Sequence, residues 1–401
     1  LLAGSESTLP NDARFVFDPF DPAVHADPYP FYAILRRDHP AYYSEGARCW
    51  VLSRHTDVVS AMLRPSVFSS TAGNVINDSP EKVGRTVGSV DPPRHTRLRA
   101  MVDHAFNRKQ VSGEAERISA ETQRLMSAVS QQGAFDLVRD LTAPLAGAVM
   151  STLLGMDDLD SAHFKRLLDI SLFRDPLTRE RSAAGLAAQG ELLKLVAQAV
   201  STKRAAPGDD LISHLLAQTI EGERLSPDEV VWMARAVLGA GFESTSSFLA
   251  NGTLALLTHD DQRALLGASP NLMGAALEEM LRYESPAQRF ARILSEDVEM
   301  HGLTMKSGTK VMVLYGSANR DEAVFAHPDR FDITRKPGRH LGLGHGIHFC
   351  AGAALARLVG RIYFSALRDR LPSLKLAGDA PLQWAQSPTF RSLVSLPVIA
   401  S

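Results

Sequence analysis

The stretch His340-Leu-Gly-Leu-Gly-His-Gly-Ile-His-Phe-Cys350-Ala-Gly352 decides how this 401-residue chain is read. It sets one thiol at the end of a run of glycines and histidines, just before an apolar segment, residues 351–370, that reads as the final long helix. A cysteine at a helix N-terminus feels the positive end of the helix dipole and meets free backbone N–H groups, which favours the thiolate and suits it to hold a metal. Gly342, Gly344 and Gly346 permit left-handed turns and let the backbone lie against a flat partner with no Cβ in the way. His348 is then placed to meet an anion beside that partner. A lone cysteine after a generic turn reads as a buried structural residue; the whole string argues for a ligand.

From Leu343 to Gly352 the string resembles the Phe-Gly-x-Gly-x-His-x-Cys-x-Gly loop of the cytochrome P-450 family, the haem-thiolate monooxygenases, with Leu343 in the place of the Phe. The resemblance extends from Asp27-Pro-Tyr-Pro30 to Leu396-Pro-Val398. It implies a single haem domain over residues 1–401, mainly α with a small β-rich lobe. Haem b is expected between a long central helix and the cysteine loop, with its iron on Cys350 and with Leu343, Gly344, His348 and Gly352 at the cofactor.

That central helix is well signalled. Ser226-Pro-Asp-Glu229 combines an N-cap serine, a proline in the first turn and a glutamate suited to a capping box. If the helix continues to Thr258 it spans roughly 50 Å at 1.5 Å per residue, so it must be largely core. In its middle, Gly239-Ala-Gly-Phe-Glu-Ser-Thr245 sets small residues beside an acid and two hydroxyls. An isolated motif of this kind reads as helix packing with a solvated Glu. Here it resembles the family's oxygen-binding groove, Ala-Gly-x-Asp/Glu-Thr, in which a widened turn holds dioxygen and water. The resemblance puts Ala240 and Gly241 at the cofactor, Glu243 in the acid position, Ser244 in the alcohol position with Thr245 beside it, and all three in proton delivery.

Glu279 and Arg282 stand three apart in Glu278-Glu-Met-Leu-Arg-Tyr-Glu-Ser-Pro286, a spacing that most often gives a weak surface pair. The string resembles the family's Glu-x-x-Arg helix, which implies a structural pair locked onto the segment Asn319 to Phe331. Asp91-Pro-Pro-Arg-His-Thr-Arg-Leu-Arg99 predicts another helix, with Asp91 as N-cap and Pro92 in its first turn. His95 and Arg99 share one face of it. By resemblance they hold the haem propionates together with Arg292 and His348.

Composition narrows the remaining classes. With 43 basic and 45 acidic side chains the net charge is only −2, so no global field draws nucleic acid or an anionic membrane. Two cysteines, Cys49 and Cys350, make no disulfide framework, and a reducing cytoplasm fits them. The N-terminal Leu1 to Phe15 has no basic region followed by an apolar core, and no run nears the ~18 apolar residues of a membrane span. A soluble protein is expected, and the missing initiator Met leaves room for an upstream segment. No Cys-x-x-Cys pair, His-Glu-x-x-His helix, Walker string or Gly-x-Gly-x-x-Gly turn is present, which argues against zinc and nucleotide cofactors.

Periodicity predicts a helix from Asp27 to Arg37, a hairpin over Ala41 to Leu52, a short helix ending near Leu63, and a long loop over residues 70–91. Helices then dominate to Glu284, with strands expected at Val298 to Met300 and Lys310 to Leu314. The expected activity is insertion of one oxygen atom of O2 into a small to medium apolar organic substrate, aromatic ones included, by hydroxylation or oxidative O-demethylation. Leu238, Phe242, Phe290 and Phe390 fall in segments that line the family's pocket, while Arg85 and Arg289 offer a partner for a substrate carboxylate but read better as solvent-facing. Electrons would come from a ferredoxin or flavoprotein reductase, separate or fused, docking near Arg94, Arg97, Arg108, Lys109 and Arg357. Two rivals are a peroxide-driven haem-thiolate peroxygenase and a non-enzymatic haem-thiolate sensor.

Overall fold

The computed structural model describes residues 15–220, 222–370, 372–378 and 381–400, so most of the N-terminal stretch read above lies outside the described residues. The long helix runs from Pro227 to Leu257. Its capping box forms as expected: Glu229 N donates to Ser226 Oγ at 3.2 Å, and Ser226 N donates to Glu229 Oε2 at 2.9 Å. Helix formation is secured locally, and burial fixes its place. Leu238 and Phe242 enter one apolar core with Phe164 and Leu192, while Phe248 and Leu249 enter another with Leu277 and Phe364. Burying one such aromatic contributes roughly 1.5–3 kcal/mol, so a helix shared by two cores is fixed along its length. The turns between the two cores are held facing whatever lies opposite.

What lies opposite is the loop before the helix Ala353–Arg370, and behind that loop the helix Met273–Tyr283. A mixed five-stranded sheet flanks them, in the order Ala41–Ser44, Cys49–Leu52, Lys310–Leu314, Arg289–Leu294, Phe68–Ser69. The strand Lys310–Leu314 runs parallel to Cys49–Leu52 and antiparallel to Arg289–Leu294, with Val311 opposite Arg292. Alternation along a strand sends Phe290 and Arg292 to one face and Ala291 to the other. Ala291 packs in an apolar cluster with Met312 and Leu314, so Phe290 and Arg292 are left to face the cavity.

The first predicted helix appears with shifted ends, at Tyr29–Asp38, while the hairpin over Ala41 to Leu52, the helix ending at Leu63 and the strands Val298–Met300 and Lys310–Leu314 fall where expected. Three expectations fail. The long helix is an unbroken α-helix with no widened turn at Gly241 to Ser244; a π-turn occurs instead at Val138–Thr142. Asp91 does not cap the next helix, which begins at Arg94, because its carboxylate accepts from Ser69 Oγ and Ser70 N. Arg289 is 3% exposed, neither in solvent nor on the cavity, because its strand position turns it inward.

Candidate active site

The cysteine loop is a tight hairpin held by its own backbone. Cys350 N donates to Leu343 O at 2.8 Å and Gly344 N to Leu341 O at 2.9 Å. Gly344 and Gly346 take φ of +75° and +66°, which a side chain would strain. Gly342 does not turn left-handed; it is needed because a Cβ there would collide with the Leu281 carbonyl. Asn319 anchors the start of the loop, accepting from Leu341 N at 2.6 Å while donating to Ser285 Oγ at 2.7 Å.

Beneath the loop, Arg282 donates to both oxygens of Glu279 at 2.7 and 2.8 Å, and both side chains are about 2% exposed or less. Its other N–H groups reach the carbonyls of Asn319, Pro328 and Arg330. Glu279 also accepts from Asp332 N and from Arg335. The pair is therefore a fully partnered buried clamp on the segment before the loop.

Leu343, Gly344, His348, Cys350 and Gly352 all line one large cavity, and on its other side stand Ala240, Gly241, Ser244 and Thr245. Cys49 is buried in a strand with its thiol pushed up to about 12 by burial. Of the two cysteines, only Cys350 opens on the cavity. Its thiol is also raised by burial, against the lowering pull of the Gly352 N–H and of Arg99 and Arg357. A bound metal's charge would add to these in favouring the thiolate. Gly241 owes its small size to a neighbour helix, since a Cβ would meet Met150 at 2.5 Å.

Four nitrogen-bearing side chains gather at one rim. The His95 and His348 rings lie 4.5 Å apart, and Arg99 and Arg292 complete the group. Burial, then Arg292, His95 and Arg99, hold His348 down at about 3, and burial lowers His95 as well. His95 Nε2 is buried without a partner. Arg99 also pairs with Asp103 at 2.6 Å, but an unpartnered buried ring nitrogen beside two guanidiniums suits an anion, and the two propionates of haem fit it.

Glu243 is 2% exposed and does not line the cavity. It accepts from Ser392 Oγ, which in turn accepts from Ser247 Oγ at 2.8 Å. Its second oxygen lies 3.6 Å from Lys165 Nζ, and Lys165 also pairs with the half-exposed Asp169. This chain of titratable groups links solvent to the buried acid. Sequence reading missed Lys165 and Asp169 because they lie more than 70 positions away, on the helix Ser161–Leu172.

Of the four proposed pocket residues, Phe290 and Phe390 line the cavity, while Leu238 and Phe242 do not. Phe242 packs on Phe164 with ring centres 5.2 Å apart, on the helix face opposite to Ser244. Arg85 pairs with Asp228, Arg94 with Glu229, and Arg357 with Glu278, so these three are engaged rather than free. Arg108 and Lys109 are exposed. Among the described residues no helix is long and apolar enough to cross a membrane.

The family model of cytochrome P-450 matches residues 270–367, which include the Glu279 clamp and the cysteine loop. Cytochrome P-450 monooxygenase PikC of Streptomyces venezuelae is 37% identical, covering 93% of this chain and 91% of its own. The vitamin D(3) 25-hydroxylase of Pseudonocardia autotrophica is 36% identical over 95% of this chain and 96% of its own. The crystal structure of CYP109E1 from Bacillus megaterium in complex with testosterone superposes with a TM-score of 0.88 at 30% identity, covering 95% of this chain and all of that one. A cysteine loop facing an acid–alcohol helix, a buried clamp beneath it and near full-length relatives lead to one conclusion: the chain belongs to the cytochrome P-450 family, monooxygenases that carry haem b on a cysteine thiolate.

Proposed function

We propose that residues 1–401 form one haem domain in which Cys350 holds the iron and which oxidises an apolar organic compound by hydroxylation or oxidative O-demethylation. The observation that carries this reading is the placement of Cys350 across one cavity from Ala240, Gly241, Ser244 and Thr245. Bound haem supplies dioxygen activation, and a thiolate ligand supplies the electron density that favours O–O cleavage. The net reaction takes the substrate, O2, two electrons and two protons to the oxygenated product and water.

The chain's own residues do the rest. His95, Arg99, Arg292 and His348 hold the two propionates, so the orphaned His95 Nε2 gains an acceptor. Leu343, Gly344 and Gly352 form the floor against the ring, and Ala240 and Gly241 the facing wall. Asp169 and Lys165 bring protons to Glu243, and the hydroxyls of Ser244 and Thr245 pass them into the cavity. Phe290 and Phe390 give the substrate an apolar and aromatic surface. Relatives are named 6-deoxyerythronolide B hydroxylase, steroid C26-monooxygenase and vitamin D(3) 25-hydroxylase, which supports an apolar organic substrate. A ferredoxin or flavoprotein delivers the electrons, and Arg108 and Lys109 remain exposed for its docking.

The test is the absorption spectrum of the dithionite-reduced, carbon monoxide-bound protein, in wild type and in Cys350→His. A strongly red-shifted Soret band in wild type, lost in the variant with the fold retained, is expected. A wild-type band at the position of an imidazole-ligated haem would refute the reading.

A further inference from the structure

The end of the cavity away from the cysteine loop is not apolar. Arg174, Arg181 and Arg235 all line it, and among the described residues none of the three makes an ion pair. The nearby acids are committed elsewhere: Asp78 pairs with Lys82 at 2.9 Å, and Glu81 accepts from Ser79. Arg85 is taken by Asp228. Three guanidiniums therefore share one cavity with no carboxylate in direct contact; Asp78 and Glu81 act on Arg174 and Arg181 only at longer range.

Each is held in place by something other than an acid. Arg174 is 5% exposed and donates from Nη1 to the carbonyls of Ser171, Leu172 and Phe173 at 3.0–3.1 Å, closing the C-terminus of the helix Ser161–Leu172. Arg181 Nε donates to the same Ser171 carbonyl at 2.8 Å. Arg235 projects from the long helix, and its Nε is buried with no partner. Its guanidinium lies along the helix beside Gly239, where any Cβ would collide with it. Burial, and next the charge of Arg181, lower both Arg174 and Arg235 to about 10, so both remain cationic at neutral pH. Unpaired buried cations are costly, and guanidinium groups are shaped to bind carboxylates in a bidentate fashion.

The same lining carries the polar Asn74, Ser79 and Gln189 as well as apolar walls from Trp232, Leu172, Leu193 and Phe290. Gly239 and Ser244 are five residues apart on the helix, a rise of about 7.5 Å. From this geometry we infer that the substrate is an amphipathic carboxylic acid, with its carboxylate held by Arg174, Arg181 and Arg235 and its apolar body extending toward Ser244. Oxidation then falls on a carbon remote from the carboxylate. This inference rests on the proposed monooxygenase reading of the same cavity and sharpens its substrate class from apolar to amphipathic and anionic.

The test titrates the haem-loaded protein by spin-state shift with the saturated C8 to C16 fatty acids and 4-phenylbutyrate, each against its methyl ester, with dodecyl phosphate as a third head group. At least one acid is expected to bind about tenfold or more tightly than its ester, and more tightly than the phosphate, an advantage in the range of charge-assisted bonds. In Arg235→Gln, and separately in Arg181→Gln, that acid-to-ester ratio should fall toward 1. Equal binding of every acid and its ester, no binding by any acid, tighter binding of dodecyl phosphate, or an unchanged ratio in both variants would overturn the inference. The carbon monoxide spectrum of the same preparation separates the two readings. A red-shifted band with no acid preference removes only this inference, whereas a missing band removes the parent reading.

Discussion

Below the cysteine loop, Glu279 and Arg282 are buried with their charges opposed and their hydrogen-bonding groups met by Asn319, Pro328, Arg330, Asp332 and Arg335. Around the cavity, Arg235, Glu243 and His95 each have a buried polar atom with no hydrogen-bond partner. The two regions contain the same chemical groups at similar depth and differ in who completes them. The clamp is completed by the chain, so it contributes to holding the fold; the cavity wall is left for ligand, proton or water to complete. A buried group satisfied by its own protein is structural, and one left wanting is a candidate for function.

The sharpest way to break this contrast is to remove one partner from the finished side. Glu279→Ala leaves Arg282 and Arg335 facing each other without a counter-charge, a change that costs roughly 3–5 kcal/mol for a buried pair. We expect a large drop in the urea midpoint and in haem retained per chain. Arg235→Gln, which removes an unpaired cation, should leave the midpoint unchanged or higher. Equal losses in the two variants would erase the distinction between the regions.

The same contrast explains what was legible in the sequence. The clamp, the cysteine loop and the capped helix are short-range patterns: three-residue spacings, glycines at turns, a Ser-Pro-x-Glu start. Local geometry brings such residues together whatever the rest of the chain does. Leu238 and Phe242 were misplaced because their helix is apolar on several faces, and only packing against Phe164 shows which face meets the cavity. Lys165, Asp169, Arg174 and Arg181 were missed because they reach the site from a distant helix and the loop after it. A Lys-x-x-x-Asp pair or scattered arginines look in sequence like any solvated surface. Asp91 misled in the other direction, since a good capping residue was claimed by Ser69 and Ser70 from another segment.

A smaller effect is expected where the unfinished side meets the reaction. Ser244 and Thr245 both line the cavity, and Glu243 stands behind them with its route to Lys165 and Asp169. Removing a positioned proton-transfer group typically costs 10²-fold or more, but Thr245 next door can share the task, so roughly tenfold is expected here. Ser244→Ala should lower product formed per NAD(P)H consumed by about that factor, and Ser244→Thr should preserve it, because threonine keeps the hydroxyl and restricts its rotamer. Unchanged coupling in both variants would take Ser244 out of the relay.

The mildest test lies on the finished side, at its half-exposed edge. Glu278 pairs with Arg357 at 2.7 Å and with His340 at 2.9 Å. Burial alone would raise its carboxyl, but the bonds from Arg357 and His340 outweigh that and hold it at about 2, below its ordinary 4.5. A carboxyl lowered by folding stabilises the protein fully above its unfolded value and loses that contribution as pH falls through the folded one. Wild type should therefore hold a constant advantage over Glu278→Gln at pH 5 to 7, and that advantage should shrink between about pH 4.5 and 2. Because Arg357 is 37% exposed, water screens the pair, and the difference should stay below about 1 kcal/mol. Urea midpoints of both proteins at pH 7, 4.5 and 3 measure it. An advantage that does not shrink with acid would mean that Glu278 acts through packing rather than charge, and that the completed side of the molecule owes less to its ion pairs than its geometry suggests.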